Sequence, residues 1–419
     1  VTTTYSKINS GASSVTLEAS DGTWSVETGA LDTDLGDDFK YLGDLTVTGI
    51  SSETTALTNY TTAKTGATKN TLTATDNNWS VAVSDLDTAL TAGVRLAGNL
   101  TVTGVDSETA ALTAYTTAKT GATTNILTAT DTNWSVAVAT LDTALAAQVR
   151  LAGDLTVTDI ASSNEATASA SYSTGTTTGA TNVTLTASDG TWSAETGALA
   201  TDLGNNIKYA GALTVTGIAN GNETAALTAY TSAKTGATTN TLTATDNNWS
   251  GTATEVMAAV SAGVYFADAL TITSIASAFE GGFSGVFNTA FTGATTNTLT
   301  ANDGTWSLTD ANLTTYLSNG TLFAGALTVT SIATDNETAA LTAYTNTLTG
   351  ATSVTLTASD TNWSVAAATL DTALAAAVRL AGDLTVTGIS TETNASTTYS
   401  KTATGASNVI LTASDGTWS

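Results

Sequence analysis

Eight tryptophans and eight aspartates hold the most regular potential chemistry in this chain. Trp24, Trp79, Trp134, Trp192, Trp249, Trp306, Trp363 and Trp418 each stand three residues after an acid, at Asp21, Asp76, Asp131, Asp189, Asp246, Asp303, Asp360 and Asp415. An exposed indole can stack on a sugar ring, whereas a buried one donates its N–H to a carbonyl. An aspartate at a sharp turn accepts nearby backbone N–H groups, or it joins the oxygen cage of about six to eight ligands that Ca²⁺ needs. The core reading is preferred for the tryptophans and the turn reading for the aspartates. An acid that could complete a calcium site in every repeat is missing, since the matching positions read Asp44, Asn99, Asp154, Ala212, Ala269, Ala326 and Asp383. No His and no Cys are present, so a Ser-His-Asp triad, a Cys-His pair and a His-ligated zinc are excluded. A glycosidase-like carboxylate pair would form one asymmetric constellation, but here the acids recur in register with a repeat. An enzyme is therefore not expected.

A second aromatic column is Tyr5, Tyr60, Tyr115, Tyr172, Tyr230, Phe287, Tyr344 and Tyr399, each 12 residues before a recurring leucine, or 13 in one case. If like coils stack, both columns form ladders. These positions require elements that repeat. Leu17, Leu72, Leu127, Leu185, Leu242, Leu299, Leu356 and Leu411 open one kind of run, and Leu45, Leu100, Leu155, Leu213, Leu270, Leu327 and Leu384 another. From the first set to the second the distance is always 28 residues, and the return varies from 27 to 30. The full repeat is 55 to 58 residues, and its varying half, as at residues 161–165, is expected to be a surface loop. Self-similarity at such a period marks an array whose units bury their apolar faces against neighbours.

Both leucine runs read as strands, because Leu45 and Val47 alternate with Thr46 and Thr48. The 28-residue connector reads as a helix, with Leu86, Leu90 and Val94 on one face, Ser84 or Asp85 as N-cap, Arg95 in the last turn and Gly98 after it. Leu31, Leu35 and Phe39 repeat this face, as do Leu370, Leu374 and Val378. The other connector places Glu53, Glu108 or Glu223 first, Lys64, Lys119 or Lys234 near the end, and Gly66, Gly121 or Gly236 after it. That is the polarity of a helix dipole; its threonines make a short, frayed or partly extended helix the expectation. The fold class predicted is a repetitive right-handed β/α solenoid with one long parallel sheet, an all-β solenoid being the alternative. The unit is similar to leucine-rich repeats in period only, without their consensus. Residues 1–419 read as a single continuous solenoid.

The T-x-T strands, Thr46/Thr48, Thr101/Thr103, Thr156/Thr158 and their equivalents, resemble the threonine arrays of β-solenoid ice-binding proteins. A solvated strand face is the preferred reading. With 11 basic and 36 acidic residues the net charge is −25, a field that repels nucleic acid and anionic lipid. No Pro interrupts the strands, and no apolar run is long enough for a transmembrane segment. Residues 1–25 and 395–419 are near-copies, which reads as a window of a longer array, uncapped at both ends and prone to self-association. In composition and repetition the chain resembles the repeat region of giant secreted bacterial surface proteins: adhesins, surface-layer components or extracellular fibres. That resemblance implies an extracellular or cell-surface location, self-association into a fibre or lattice, and no cofactor, with Ca²⁺ the one weighed. The functional expectation is a non-enzymatic filament or stalk, and the alternative is binding of ice or polysaccharide through the Thr or Trp ladders.

Overall fold

In the computed structural model, residues 12–276 and 286–418 are described; Tyr5 lies outside them. Strands and short helices alternate in a repetitive α/β solenoid-like fold, with wholly parallel sheets of ten and seven strands. The chain divides into two compact units, one holding residues 1–192 and 197–211, the other 193–196 and 212–419.

In the first unit the strands are β1 (Val15–Glu27), β2 (Phe39–Ile50), β3 (Lys69–Ala82), β4 (Val94–Val105), β5 (Thr124–Ala137), β6 (Val149–Ile160) and β7 (Asn182–Glu195). Each pairs with the next, but the register is staggered. The two halves of β3 pair with the two halves of β4: Asn70–Thr73 with Val94–Ala97, and Asn78–Ala82 with Asn99–Thr103. On its other side β3 uses only its first half, against the second half of β2, with Leu45 opposite Asn70 and Val47 opposite Leu72. The second half of β4 then meets the first half of β5. Strand pairs thus advance by half a strand per repeat. Cross-strand neighbours are consequently unlike residues: Leu72 sits between Val47 and Leu96, and Leu45 between Trp24 and Asn70. Trp24, Trp79 and Trp134 are each paired across the ladder with a leucine, Leu45, Leu100 and Leu155.

Alternation places Leu45, Val47 and Leu72 in the core and leaves Thr46, Thr48 and Thr71 half-buried on the opposite face. The longer connector is a nine-residue helix, Val83–Thr91, with Leu86 and Ala89 buried. It is shorter than its apolar pattern suggests. Val94, Phe39 and Val378 begin strands instead of closing the helix face, as does Arg95 one residue on. The helix opens from Ala82 without a side-chain cap, so neither Ser84 nor Asp85 is the N-cap. The Tyr-containing connector is helical, as two short pieces, Glu53–Asn59 and Thr62–Thr65, broken at Tyr60. Gly66 ends the second at φ 80°, a left-handed turn that only glycine adopts without strain. The length-varying segment at 161–164 is exposed.

The second unit repeats the pattern through β8 (Ile207–Ile218), β9 (Thr239–Ala244), β10 (Asn248–Thr252), β11 (Val264–Phe266), β12 (Ala269–Ile275), β13 (Asn297–Thr309), β14 (Thr321–Ile332), β15 (Ser353–Ala366), β16 (Val378–Ile389) and β17 (Asn408–Ala413). Here one long strand is replaced by β9 and β10, and its partner by β11 and β12; β9 pairs with β11, and β10 with β12.

One position accounts for that break. Between its halves β3 inserts four residues, Ala74 to Asn77, where β4 has only Gly98. Gly98 has φ 104° and lies so close to the bulge that an added Cβ would fall 2.4 Å from the Asn77 carbonyl oxygen. Gly43, Gly153, Gly325 and Gly382 are held in the same way. At the matching place between β11 and β12 stands Asp268. A side chain there excludes the close approach, and each strand is interrupted at the bulge while its halves stay paired. Gly98→Ala is therefore expected to cost about 1–3 kcal/mol locally and to raise hydrogen exchange at residues 75–80. Gly22→Asn, at a bulge position with open space around its Cβ and Asn77 as natural precedent, is expected to be nearly neutral.

Candidate functional site

The recurring Asp-x-x-Trp corner is the four-residue bulge. In all eight copies the aspartate Oδ1 accepts the backbone N–H two residues on, at 2.9–3.0 Å. These bonds hold Asp21, Asp189 and Asp415 below the usual carboxylate range. The residue between is left-handed whether it is Gly22, Asn77, Thr132 or Thr361. The tryptophan then turns inward. Trp79, Trp134, Trp306 and Trp363 are 1–2% exposed, and their indole N–H groups donate to Ala97, Ala152, Ala324 and Ala381 carbonyls at 3.0–3.1 Å. Trp24 donates to Leu42 at 3.2 Å. Trp192 and Trp249 are buried without such a bond; the carbonyl matching Trp249 belongs to Ala267, in the interrupted strand. Trp418 is 49% exposed. Buried indole faces offer sugars no stacking platform. Where the next strand carries an aromatic, the indole meets it edge-on, as Trp24 with Tyr41 at 5.1 Å and Trp306 with Phe323 at 5.0 Å between centroids.

Tyr60, Tyr115, Tyr230, Tyr344 and Tyr399 sit at the break between the two short helices and Tyr172 at the end of one, and their hydroxyls bond to the helix of the preceding connector. Tyr60 donates to Asp32 at 2.7 Å, Tyr115 to Asp87 at 2.7 Å, Tyr172 to Asp142 at 2.9 Å and Tyr399 to Asp371 at 2.8 Å. Tyr344 donates to Asp310, and Tyr230 to the Thr196 carbonyl at 3.4 Å. Phe287 is fully buried, and the residue 30 before it, where an aspartate would stand, is Met257. The same position is Ala200 in the repeat of Tyr230 and Thr314 in that of Tyr344, so the hydroxyl persists where the carboxylate is replaced and finds another acceptor. Burial, with the neighbouring carboxylate, pushes Tyr172, Tyr344 and Tyr399 up to about 12.

Two fasteners carry no obvious sequence mark. Asn70, Asn125, Asn240 and Asn297 are wholly buried in the strand. The Asn240 and Asn297 amides donate to the Tyr230 and Phe287 carbonyls at 2.6 and 2.8 Å; their oxygens accept from Thr235 and Thr292 at 3.0 Å. The glutamate that opens the seven-residue helix does more than match a dipole. Glu53 and Glu108 accept the Ser80 and Ser135 backbone N–H groups at 2.7 and 2.8 Å; Glu223 and Glu337 accept those of Ser250 and Ser364 at 3.0 and 3.1 Å. Those serines lie in strand halves that pair on one side only among the described residues. Burial, aided by Asp360, pushes the Glu337 carboxyl above its ordinary value. Cations act likewise: Arg95 and Arg379 each donate to two carbonyls and Arg150 to three, including Leu90, Leu374 and Leu145 at helix ends.

Crevices recur beside the tyrosines. In the first unit one of about 170 Å³ is lined by Asp32, Ser52, Asn59 and Tyr60, and one of about 270 Å³ by Asp87, Ser107, Ala114 and Tyr115. In the second unit the matching crevice, by Asn222, Ala229 and Tyr230, is about 430 Å³. Among the described residues no group of three or more His, Cys, Asp or Glu is placed to hold a metal ion. No helix among them is long and apolar enough to cross a membrane. No family model, curated protein or solved structure matches the chain.

Two outcomes follow from these bonds. Replacing Glu337 by Ala removes the acceptor of the part-buried Ser364 N–H and is expected to cost about 1 kcal/mol, read as faster exchange of the Ser364 amide. Glu337→Gln keeps an acceptor without a buried charge and should retain most of that protection. For the tyrosines, raised folded values mean that stability is fully present below the ordinary value of 10.0 and is lost as pH rises through about 12. Alkaline titration followed by tyrosinate absorbance should accordingly show ionisation of this class coinciding with unfolding.

Proposed function

We propose that this chain is a structural segment of a repeat-built extracellular filament or cell-surface stalk, non-enzymatic, with self-association into a fibre or lattice as its working state. One observation carries the reading: the side chains most capable of chemistry are committed, repeat after repeat, to the protein's own backbone and neighbours. The aspartates hold N–H groups, the indoles hold carbonyls, the tyrosines hold carboxylates and the glutamates hold strand edges. A catalytic group has to remain available to a substrate, whereas a scaffold needs identical joints at every step. The acidic, hydroxyl-rich exterior keeps such an array hydrated and apart from anionic surfaces.

A second reading is supported by the half-exposed threonine rows, such as Thr46, Thr71 and the exposed Ser25 beside them. These hydroxyl and methyl ranks suit ice or polysaccharide binding. Protease shaving of intact source cells, with electron micrographs of the native particle, tests the first reading. Threads or a lattice on the cell exterior are expected; a dispersed internal particle would overturn it. Thermal hysteresis or glycan retention that disappears when Thr46 and Thr71 become Lys would favour the second.

A further inference from the structure

Internal comparison of the repeats singles out one helix. Among the described residues the nine-residue helix has a threonine at its sixth place in six of its seven copies, Thr33, Thr88, Thr143, Thr201, Thr315 and Thr372. Each of those hydroxyls donates to the carbonyl four residues earlier, at 2.9–3.1 Å. The remaining copy, Ala253–Ser261, has Ala258 there. Its third residue is Glu255, where the other copies read Ala30, Asp85, Thr140, Ala198, Asn312 and Thr369. No other copy joins the missing hydroxyl to a carboxylate.

Both changes meet in one cavity of the second unit. Between this helix and the seven-residue helix Glu223–Ala229 lies a crevice of about 380 Å³, within the range of about 300–1,000 Å³ that small-molecule sites occupy. Leu227 and Ala259, both buried, form an aliphatic wall with the exposed Ala258 and the half-buried Ala262. Threonines complete the lining, and Glu255 is its one ionisable residue. The Glu255 Oε2 caps its own helix, accepting the Thr252 N–H at 2.9 Å and the Thr252 hydroxyl at 2.8 Å. Its Oε1 is not used in the cap. The Lys234 ammonium is held on the Thr228 carbonyl at 2.7 Å and is not part of the lining.

An aliphatic wall gains by covering an alkyl chain. A single carboxylate with an oxygen to spare accepts a charge-assisted hydrogen bond from an ammonium. The net charge of −25 raises the local concentration of cations. We propose that this crevice binds an alkylammonium, an aliphatic primary amine in its protonated form. The chain lies along Leu227, Ala258 and Ala262, and the ammonium donates to the Glu255 Oε1.

The test is calorimetric titration of the full chain at neutral pH with octylammonium, butylammonium, octanol and octanoate, each below its aggregation threshold. Octylammonium is expected to bind tightest, with affinity rising about two- to fourfold per added methylene. Ala258→Thr restores the residue of the six other copies, so folding should survive, which circular dichroism verifies; it is expected to weaken octylammonium about fivefold or more. Should that variant unfold, Ala258→Ser gives the same reading. Glu255→Gln keeps an acceptor for the helix cap and should bring octylammonium down to the affinity of octanol while leaving octanol unchanged. Failure of the native chain to bind octylammonium would overturn the proposal. Equal affinity for butyl and octyl chains, or binding untouched by Ala258→Thr, would mean adsorption to the acidic exterior and overturn it as well. Octanoate binding as tightly as octylammonium would transfer the head group to Lys234 and have the same result.

Discussion

Four residues opposite one glycine is the constraint on which the repeat rests. At each bulge the longer strand has to turn out and back within its own ladder, and the partner strand has to come within touching distance of the turn. Three residue choices follow from that geometry. An aspartate closes the turn by taking up a backbone N–H. A left-handed residue follows it. A glycine on the opposite strand removes the Cβ that would strike the Asn77 or Thr132 carbonyl. The tryptophan three places on re-enters the core and takes the carbonyl just before that glycine. Where Asp268 replaces the glycine, each strand is interrupted at the bulge while its halves stay paired; the Trp249 indole there has no acceptor, as is also true of Trp192 beside an intact Gly211. A single Cβ therefore decides whether two strands are continuous.

The stagger changes what repetition means energetically. In an in-register coil each side chain would lie against its own copy. Here Leu72 meets Val47 and Leu96, and Trp79 meets Leu100. Complementary shapes, a large ring beside a branched aliphatic, interdigitate better than identical ones. The polar inventory is equally local. Most of the bonds between neighbouring elements join residues 18 to 34 apart in the chain. Each net hydrogen bond is worth about 1 kcal/mol, and the arrangement multiplies that modest term by the number of repeats.

Much of this could be read before the structure. Period, strand positions and the alternating threonines follow from hydrophobic pattern, and the left-handed Gly66 follows from its place after an acid-first, base-last segment. The apolar face assigned to the longer helix overran it, because Val94 continues the same spacing while belonging to a strand; one buried side of a helix and one of a strand are not distinguishable over so few residues. Gly98 reads as a helix terminator in one dimension and is a bulge partner in three. The glutamate that opens the short helix is invisible as an edge fastener, because its partner, Ser80, is 27 residues away and contributes only backbone. The Asp–Tyr bonds are not marked by joint change, since Tyr230 and Tyr344 persist where the aspartate position reads Ala200 and Thr314.

That glutamate has a consequence for how such a chain survives at high concentration. A threonine-rich, sparsely charged sequence that is nearly half strand is composed much like material that stacks edge to edge into insoluble sheets. The open side of each strand half is where such growth would start. By occupying the Ser80 or Ser135 amide with a carboxylate, each repeat presents incoming foreign backbone with a filled donor and a negative charge. Order inside the molecule and refusal of indiscriminate sticking outside it come from the same side chain.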